Sequence, residues 1–425
     1  MLILFTIGVL LYALGVRVAA WLGNPKAKQW VDGRKLRAKM PETVDDPNEQ
    51  WIWFHAASLG EFEQGRPVIE ALKQRYPQYK ILLTFFSPSG YEVRKDYPMA
   101  DEVAYLPTDT PGHAAKWVRR HHFVAAFFIK YEFWFNYMRA LKKAGIPLFY
   151  ISLILKPDSF FFRPYGRWFR KQLHTVTHFF VQDEATVDLL RKNGFDNVTL
   201  CGDTRFDRVA AIAEQAKPFP VVERFIAGRQ CIIAGSTWPP DEKLLQAFLP
   251  KMPDDYCLIL APHDISASHV AQIKAMFPEA LLYTEVSTPC HTEAQPSVSM
   301  GMKPAKVLII NSIGILSQLY QYARFVYIGG GFGVNIHNIQ EPVTFGCPVV
   351  FGPKYADFKE AVDLVALGGA FSVDGQQELD DILGRLIWDE TLFDTASATC
   401  RNYLQNQLGA TEIIVKKVSQ LLVLA

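Results

Sequence analysis

Residues Arg324 to Pro353 read RFVYIGGGFGVNIHNIQEPVTFGCPVVFGP, and this stretch decides the fold. The apolar run Phe325 to Ile328 has the length of a buried strand and breaks into Gly329, Gly330 and Gly331, where missing β-carbons let backbone amides approach a bound group. His337 and Asn338 then precede Glu341 and Pro342, and proline suits the first position of a helix. A carboxylate at Glu341 can accept hydrogen bonds from both vicinal hydroxyls of a ribose. The chain returns to an apolar run, VTFGCPVVFGP, which closes a strand, turn, helix and strand unit fitted to a nucleotide. A glycine cluster after a strand also serves plain turns and tight helix packing, so the stretch is weighed with its surroundings.

The same rhythm fills the chain on both sides. From Trp51, strand-like runs alternate with helical segments: WIWFHA, ILLTFF, EVAYLP, FVAAFFI, PLFYISL, HFFVQD and VTLCG. Between Asp207 and Gly228 the strands stop, and a helix leads into a proline-bearing link. A second alternation runs through CIIAG, CLILAP, ALLYT, KVLIIN, FVYIG, PVVFG and AFSV. The reading is an α/β chain with two Rossmann-like domains, whose sheets are expected to face each other across a ligand cleft. The expected divisions are an anchor over 1–23, a first domain over 24–210, a linker over 211–228, a second domain over 229–395, and closing helices over 396–425. The Ser-, Thr- and Pro-rich segment Glu285 to Ala305 reads as a surface loop.

Composition excludes some partners. Lysine and arginine number 44 against 43 acidic residues, so no overall field draws nucleic acid, and none is expected as a partner. Six cysteines are scattered without CxxC or metal-type spacing, which fits reduced thiols in a cytoplasmic compartment. The first 23 residues are apolar apart from Arg17, a length suited to entering a bilayer. Lys26, Lys28, Arg34, Lys35, Arg37 and Lys39 follow, opposed by Asp32 alone, which places the remainder on the cytoplasmic side. A buried or surface-lying amphipathic helix competes with the anchor. The stretch 159–174 interleaves Phe160, Phe161, Phe162, Tyr165 and Trp168 with Arg163, Arg167, Arg170 and Lys171. It reads equally as a lipid-facing surface or as a packed helix with a solvated basic face.

Chemistry-bearing residues fall where strands give way to helices. Glu61 follows the WIWFHA strand and the turn containing Ser58 and Gly60, and a carboxylate there can act as general base toward an attacking hydroxyl. The competing reading is an acidic residue in a helix first turn, with Ser58 as its cap. Glu132 holds the equivalent place after FVAAFFI, with Trp134 and Asn136 beside it. Gly235, Ser236 and Thr237 lie between a strand and a helix, a phosphate-binding arrangement without the ATP-type loop pattern. His263 closes the next strand as a donor to an anion, or as a structural histidine. There is no DxD, HExxH or Ser-His-Asp signature, so neither metal-bridged sugar diphosphate chemistry nor a standard hydrolase mechanism is indicated.

The motifs HAASLGE, LLTFFSPSG, YEFWFN, GDTRFD, AGST and GGGFGVNIHNIQEP, in that order, resemble those of the 3-deoxy-D-manno-octulosonic acid (Kdo) transferase family. The resemblance implies a GT-B architecture, with an acceptor domain followed by a CMP-Kdo domain. It implies inverting, metal-independent transfer of Kdo from CMP-Kdo to a lipid A precursor (lipid IVA), in lipopolysaccharide core biosynthesis at the cytoplasmic face of the inner membrane. On matched positions Glu61 becomes the catalytic base, and Ser58, Gly60 and Glu132 contact the acceptor. Gly235, Ser236, Thr237, His263, Gly330, Asn335, His337, Asn338 and Glu341 fall in the donor site. No cofactor is implied beyond the donor substrate. Lys130 and Phe135 depart from the family pattern, as does Ala261-Pro262-His263, which lacks an arginine; Arg205, counted with the donor-site residues, or another basic residue is expected to take its place. Another GT-B enzyme, such as a lipid-linked glycosyltransferase or nucleotide-sugar epimerase, and a non-catalytic membrane-tethered nucleotide-sugar binder remain as alternatives.

Overall fold

The computed structural model describes residues 1–38, 49–287 and 304–422. Lys39, Cys290 and most of the Glu285 to Ala305 segment lie outside the described residues, as does the side chain of Arg37. The chain divides into two compact units, Met1–Asp207 with Gln407–Ala425, and Arg208–Asn406.

The first unit carries seven parallel strands: β1 (Trp51–Ala56), β2 (Lys80–Phe85), β3 (Glu102–Tyr105), β4 (Phe123–Ile129), β5 (Leu148–Leu153), β6 (His178–Val181) and β7 (Val198–Leu200). Their order is β3-β2-β1-β4-β5-β6-β7. The central strands are apolar on both faces because helices cover both faces; β1, for example, is buried at every position. The order reverses between β1 and β4, and in such sheets the crevice at that reversal, beyond the strand carboxyl ends, receives the ligand.

The second unit repeats the plan with β8 (Gln230–Thr237), β9 (Tyr256–Pro262), β10 (Leu281–Leu282), β11 (Val307–Ile309), β12 (Phe325–Ile328), β13 (Val349–Phe351) and β14 (Ala370–Ser372). All are parallel, in the order β10-β11-β9-β8-β12-β13-β14. Its reversal lies between β8 and β12. The two units therefore form a GT-B-like two-domain α/β architecture.

Two segments behave differently from a plain reading of the sequence. The helix expected after Asp207 spans Thr204–Glu214, and the proline-bearing link beyond it holds a second helix, Pro220–Ile226. The closing helices separate: Glu390–Gln407 stays with the second unit, whereas Ala410–Leu422 packs on the Leu59–Arg75 helix of the first. Asp207 ties this return, accepting the N–H groups of Gly409 and Thr411 at 2.7 and 2.6 Å.

The helix Leu2–Trp21 is long and apolar enough to cross a membrane, consistent with membrane anchoring. One side rests on the first unit: Phe5 meets the Phe135 ring edge-on at 4.8 Å, Asn136 Nδ2 donates to Thr6 Oγ1 at 3.2 Å, and Tyr12 contacts Trp30 and Phe86. Its other side leaves Ile3, Leu4, Leu11 and Trp21 exposed. In the stretch 159–174, Phe161 is fully buried, and Phe162 and Trp168 pack against the same core, so these rings are structural. Phe160 and Tyr165 remain exposed.

Candidate functional site

In the first unit the residues after β1 and after β4 meet at the sheet's reversal. The Leu59–Arg75 helix begins directly after β1, with Ser58 in extended backbone at its N-cap. Ser58 makes no side-chain cap hydrogen bond, so its hydroxyl is not committed to capping. Glu61 instead reaches back, and its Oε2 accepts the Ala57 N–H at 2.6 Å. A side chain added at Gly60 would meet nothing within 4 Å, which leaves open space above the helix start.

Glu61 titrates at about 7, pushed up first by burial and then by the nearby charge of Glu132; the Ala57 N–H and the Lys130 cation pull the other way. A carboxylate poised near neutrality is suited to general base chemistry.

Glu132 is held from beneath by a buried polar chain. His55 Nε2 lies 3.1 Å from Glu132 Oε2, and Trp134 Nε1–H donates to the same oxygen at 2.7 Å. His55 Nδ1 lies 2.8 Å from Thr84 Oγ1, which also accepts the Trp53 indole N–H at 2.8 Å. His55 and Thr84 are fully buried, so satisfied hydrogen bonds are a condition of the fold. They are register neighbours on β1 and β2. The Tyr150 hydroxyl fixes the Glu132 main chain, donating to its carbonyl at 2.7 Å.

The backbone at these strand ends is strained. Lys130, directly after β4, and Ser152 and Ser236, the last residues but one of β5 and β8, have φ of +63°, +57° and +53°. A non-glycine left-handed residue costs on the order of 1–3 kcal/mol and clusters at functional sites.

In the second unit the turns after β8 and β12 are packed together at the reversal. A β-carbon on Gly329 would lie 2.4 Å from the Ser236 carbonyl oxygen, so only glycine permits this contact. The Gly329 amide donates to the Gly235 carbonyl at 2.9 Å and the Gly330 amide to Asp241 Oδ2 at 3.0 Å. These two amides are thus engaged inside the protein. Thr237 is buried and its hydroxyl donates to Glu242 at 3.1 Å, leaving Ser236 as the half-buried hydroxyl of the turn.

Around this turn stand three rings. Trp238 Nε1–H donates to His337 Nε2 at 2.9 Å. Those rings are 14° from coplanar, and His263 stacks on Trp238 at 4.7 Å and on His337 at 4.4 Å between centroids. Burial and the neighbouring His263 hold His337 below its ordinary value, consistent with a neutral ring accepting the indole proton. Asn338 Nδ2 donates to Glu341 Oε1 at 3.3 Å, its Oδ1 accepts the Gln340 N–H at 3.0 Å, and Asn335 pairs with Asp357. Arg205 lies in the first unit, where Asp203 takes its guanidinium.

Sequence reasoning gathers Glu61 with Glu132, and Ser236 with His263 and His337. It misses His55, Thr84, Trp238 and Asp241. His55 and Thr84 are single polar residues inside apolar strands, a signal that they pair internally. Trp238 follows the AGST turn immediately. Asp241 is buried and gathers the Trp238 and Gly330 N–H groups and the Tyr327 hydroxyl.

A family model described as 3-deoxy-D-manno-octulosonic-acid transferase matches residues 32–208. The chain is 26% identical over 353 residues to the 3-deoxy-D-manno-octulosonic acid transferase of Aquifex aeolicus, covering 79% of this chain and 86% of that one. It is 24% identical to the transferase of that name from Bordetella pertussis, covering 85% of each chain. Among solved structures it is similar to the UDP-GlcNAc 2-epimerase of Neisseria meningitidis, with a TM-score of 0.60 at 15% identity, over 88% of this chain and all of that one. The sequence likeness points to the Kdo-transferase family at low identity; the structural likeness shows the fold alone.

Proposed function

We propose that this chain is an inverting glycosyltransferase that moves Kdo from CMP-Kdo to a lipid A precursor (lipid IVA), with Glu61 as general base. The observation that carries the reading is a largely buried carboxylate just beyond the carboxyl end of β1, where the sheet order reverses, with Glu132 near enough to help push it up to about 7. Glu61 takes the proton of an acceptor hydroxyl as that oxygen bonds to the anomeric carbon. The bond from that carbon to the CMP phosphate breaks, and its electron pair leaves with the nucleotide. A one-step displacement inverts the anomeric centre and asks for one base and a stabilised leaving group.

Ser58, Gly60 and Glu132 are assigned to the acceptor, with Glu132 fixed by His55 and Trp134. Gly235, Ser236, Thr237, His263, Gly330, Asn335, His337, Asn338 and Glu341 are assigned to the donor, to which we add Trp238. The nearly coplanar Trp238 and His337 rings, backed by His263, offer a flat aromatic surface for a base, and Glu341 with Asn338 offers acceptors and a donor for a ribose. We place residues 1–23 at the inner membrane and the remainder on its cytoplasmic face, with the domain functions divided as the sequence suggests.

The test is incubation of purified chain with tetraacylated lipid A precursor and CMP-Kdo generated in situ, followed by mass spectrometry of the lipid. A gain of Kdo mass that is lost in folded Glu61→Ala supports the reading; full transfer by that variant sinks it. A second reading is another GT-B enzyme with a different nucleotide sugar, in keeping with a fold similar over 88% of this chain to a UDP-GlcNAc 2-epimerase. Preferential binding of UDP-sugars over CMP would select it.

A further inference from the structure

The first unit contains a cavity of about 1080 Å³ between the end of the Leu2–Trp21 helix, the Pro25–Ala38 helix and the Pro111–Arg120 helix. Arg17, Lys28, Lys35, Lys116, Arg119 and Arg120 line it, with Arg34 deeper, and Asp32 is the one carboxylate among its lining residues. The remaining wall is largely apolar, including Ala20, Trp21, Trp30 and Val31. None of these residues belongs to the candidate site described above.

Arg34 shows what the cavity lacks. Its guanidinium lies 3.7 Å from the Trp30 ring centroid and 5.1 Å from that of Phe86. Its acceptors among the described residues are main-chain carbonyls of Leu106, Phe86 and Trp30. Among the described residues this guanidinium is served by carbonyls and rings and by no carboxylate, and burying a charge is costly without an opposite one. Burial lowers its pKa to about 9, in the direction expected of that cost.

Position decides the kind of anion. The end of the apolar helix lines the cavity, and there Trp21 is 84% exposed. Tryptophan and cations gather at the headgroup level of a bilayer, and basic pockets at that level bind lipid phosphates. A free phosphate would not use the apolar wall, and a lipid uses both.

We propose that this cavity is a binding site for a phosphate-bearing lipid, with the phosphate among Arg34, Arg119 and Arg120 and an acyl chain along Ala20, Trp21 and Trp30. The phosphate can belong to a bilayer phospholipid or to a phosphorylated glycolipid. The proposal does not depend on the transferase reading, because occupancy is measured without turnover.

Native mass spectrometry of the full chain in nonionic detergent tests it, with dioleoylphosphatidylglycerol and dioleoylphosphatidylcholine supplied at equal concentration. One phosphatidylglycerol is expected per chain, retained at least about tenfold over phosphatidylcholine. The Arg119→Ala/Arg120→Ala pair should lose roughly 30-fold in retention, from about two lost lipid-surface cation contacts. Should that pair not fold, Lys28→Ala/Lys116→Ala reads the same loss, while Arg163→Ala/Arg167→Ala should keep the adduct. Arg34 is left intact because it braces three carbonyls. Displacement of phosphatidylglycerol by a phosphorylated glucosamine disaccharide lipid assigns the phosphate to the glycolipid, and failure to displace assigns it to the phospholipid. Equal retention of the two phospholipids, or undiminished retention in both cavity pairs, overturns the proposal. So does an equal loss in the Arg163/Arg167 pair.

Discussion

Trp238 and His337 meet edge to edge, the indole N–H donating to Nε2 at 2.9 Å, and this bond makes two loops from different strands into one flat surface. Trp238 follows β8 and His337 follows β12, so the surface exists only where those neighbouring strands end together. Under the proposed function it receives the nucleotide base. Base stacking on an aromatic ring is worth about 1–3 kcal/mol, so Trp238→Ala should weaken CMP binding by about 5- to 150-fold by calorimetry. Trp238→Phe retains a ring and loses the N–H, and should fall between the two.

Glu61 sets the pH dependence of the proposed reaction. The base must be ionised, so kcat/KM should rise with pH through about 7. Stability runs in the opposite direction. The folded chain holds the Glu61 proton more tightly than the unfolded chain, whose carboxyl titrates near 4.5. The resulting stabilisation is full below that value and disappears as pH rises through about 7. Glu61→Gln should therefore flatten the decline in urea midpoint between pH 5 and 8, whatever it does to turnover.

The separation of strands from helices was legible because each strand of both sheets is a short apolar run bounded by turn residues, from WIWFHA to PVVFG. The placement of Glu61 and Glu132 followed from the same pattern, since each directly follows a central strand. What a linear reading lacks is lateral neighbourhood. His55 and Thr84 pair only because β1 and β2 lie in that register. Asp241 sits in a helix first turn like many acidic residues, and nothing local shows that it collects groups from β12 and the turn after it. Nor does the run of glycines show locally that Gly329 is required by the approach of the Ser236 carbonyl.

Glu132 acts on Glu61 through space, which separates its role from ordinary packing. Its charge is the second cause of the raised Glu61 value, after burial. Glu132→Gln removes that charge while keeping an acceptor for Trp134, so the rising limb of kcat/KM should move to lower pH and remain above 4.5. An unmoved limb would mean that the two carboxylates do not interact. His55→Ala is a harsher change: it removes a fully buried partner of Glu132 and should cost about 3 kcal/mol in urea unfolding.

The return of the chain end to the first unit makes residues far apart in sequence depend on each other. Ile414, Val415 and Val418 are buried in the core that holds Phe62, Ile69 and Leu72. The Tyr76 hydroxyl donates to Ser419 Oγ at 2.6 Å. Burying an aliphatic side chain contributes about 1.5–3 kcal/mol, so these three together contribute roughly 5–9 kcal/mol, comparable to the whole stability of a domain. A chain ended at Gln407 should therefore lose the first unit and keep the second. Limited proteolysis reads this directly, since the expected resistant fragment spans about 208–406. Survival of a resistant fragment from the first unit would show that its core closes without the returning helix. Val418→Asp tests the same contact within the full chain, and should lower the urea midpoint of the first unit while leaving that of the second unchanged.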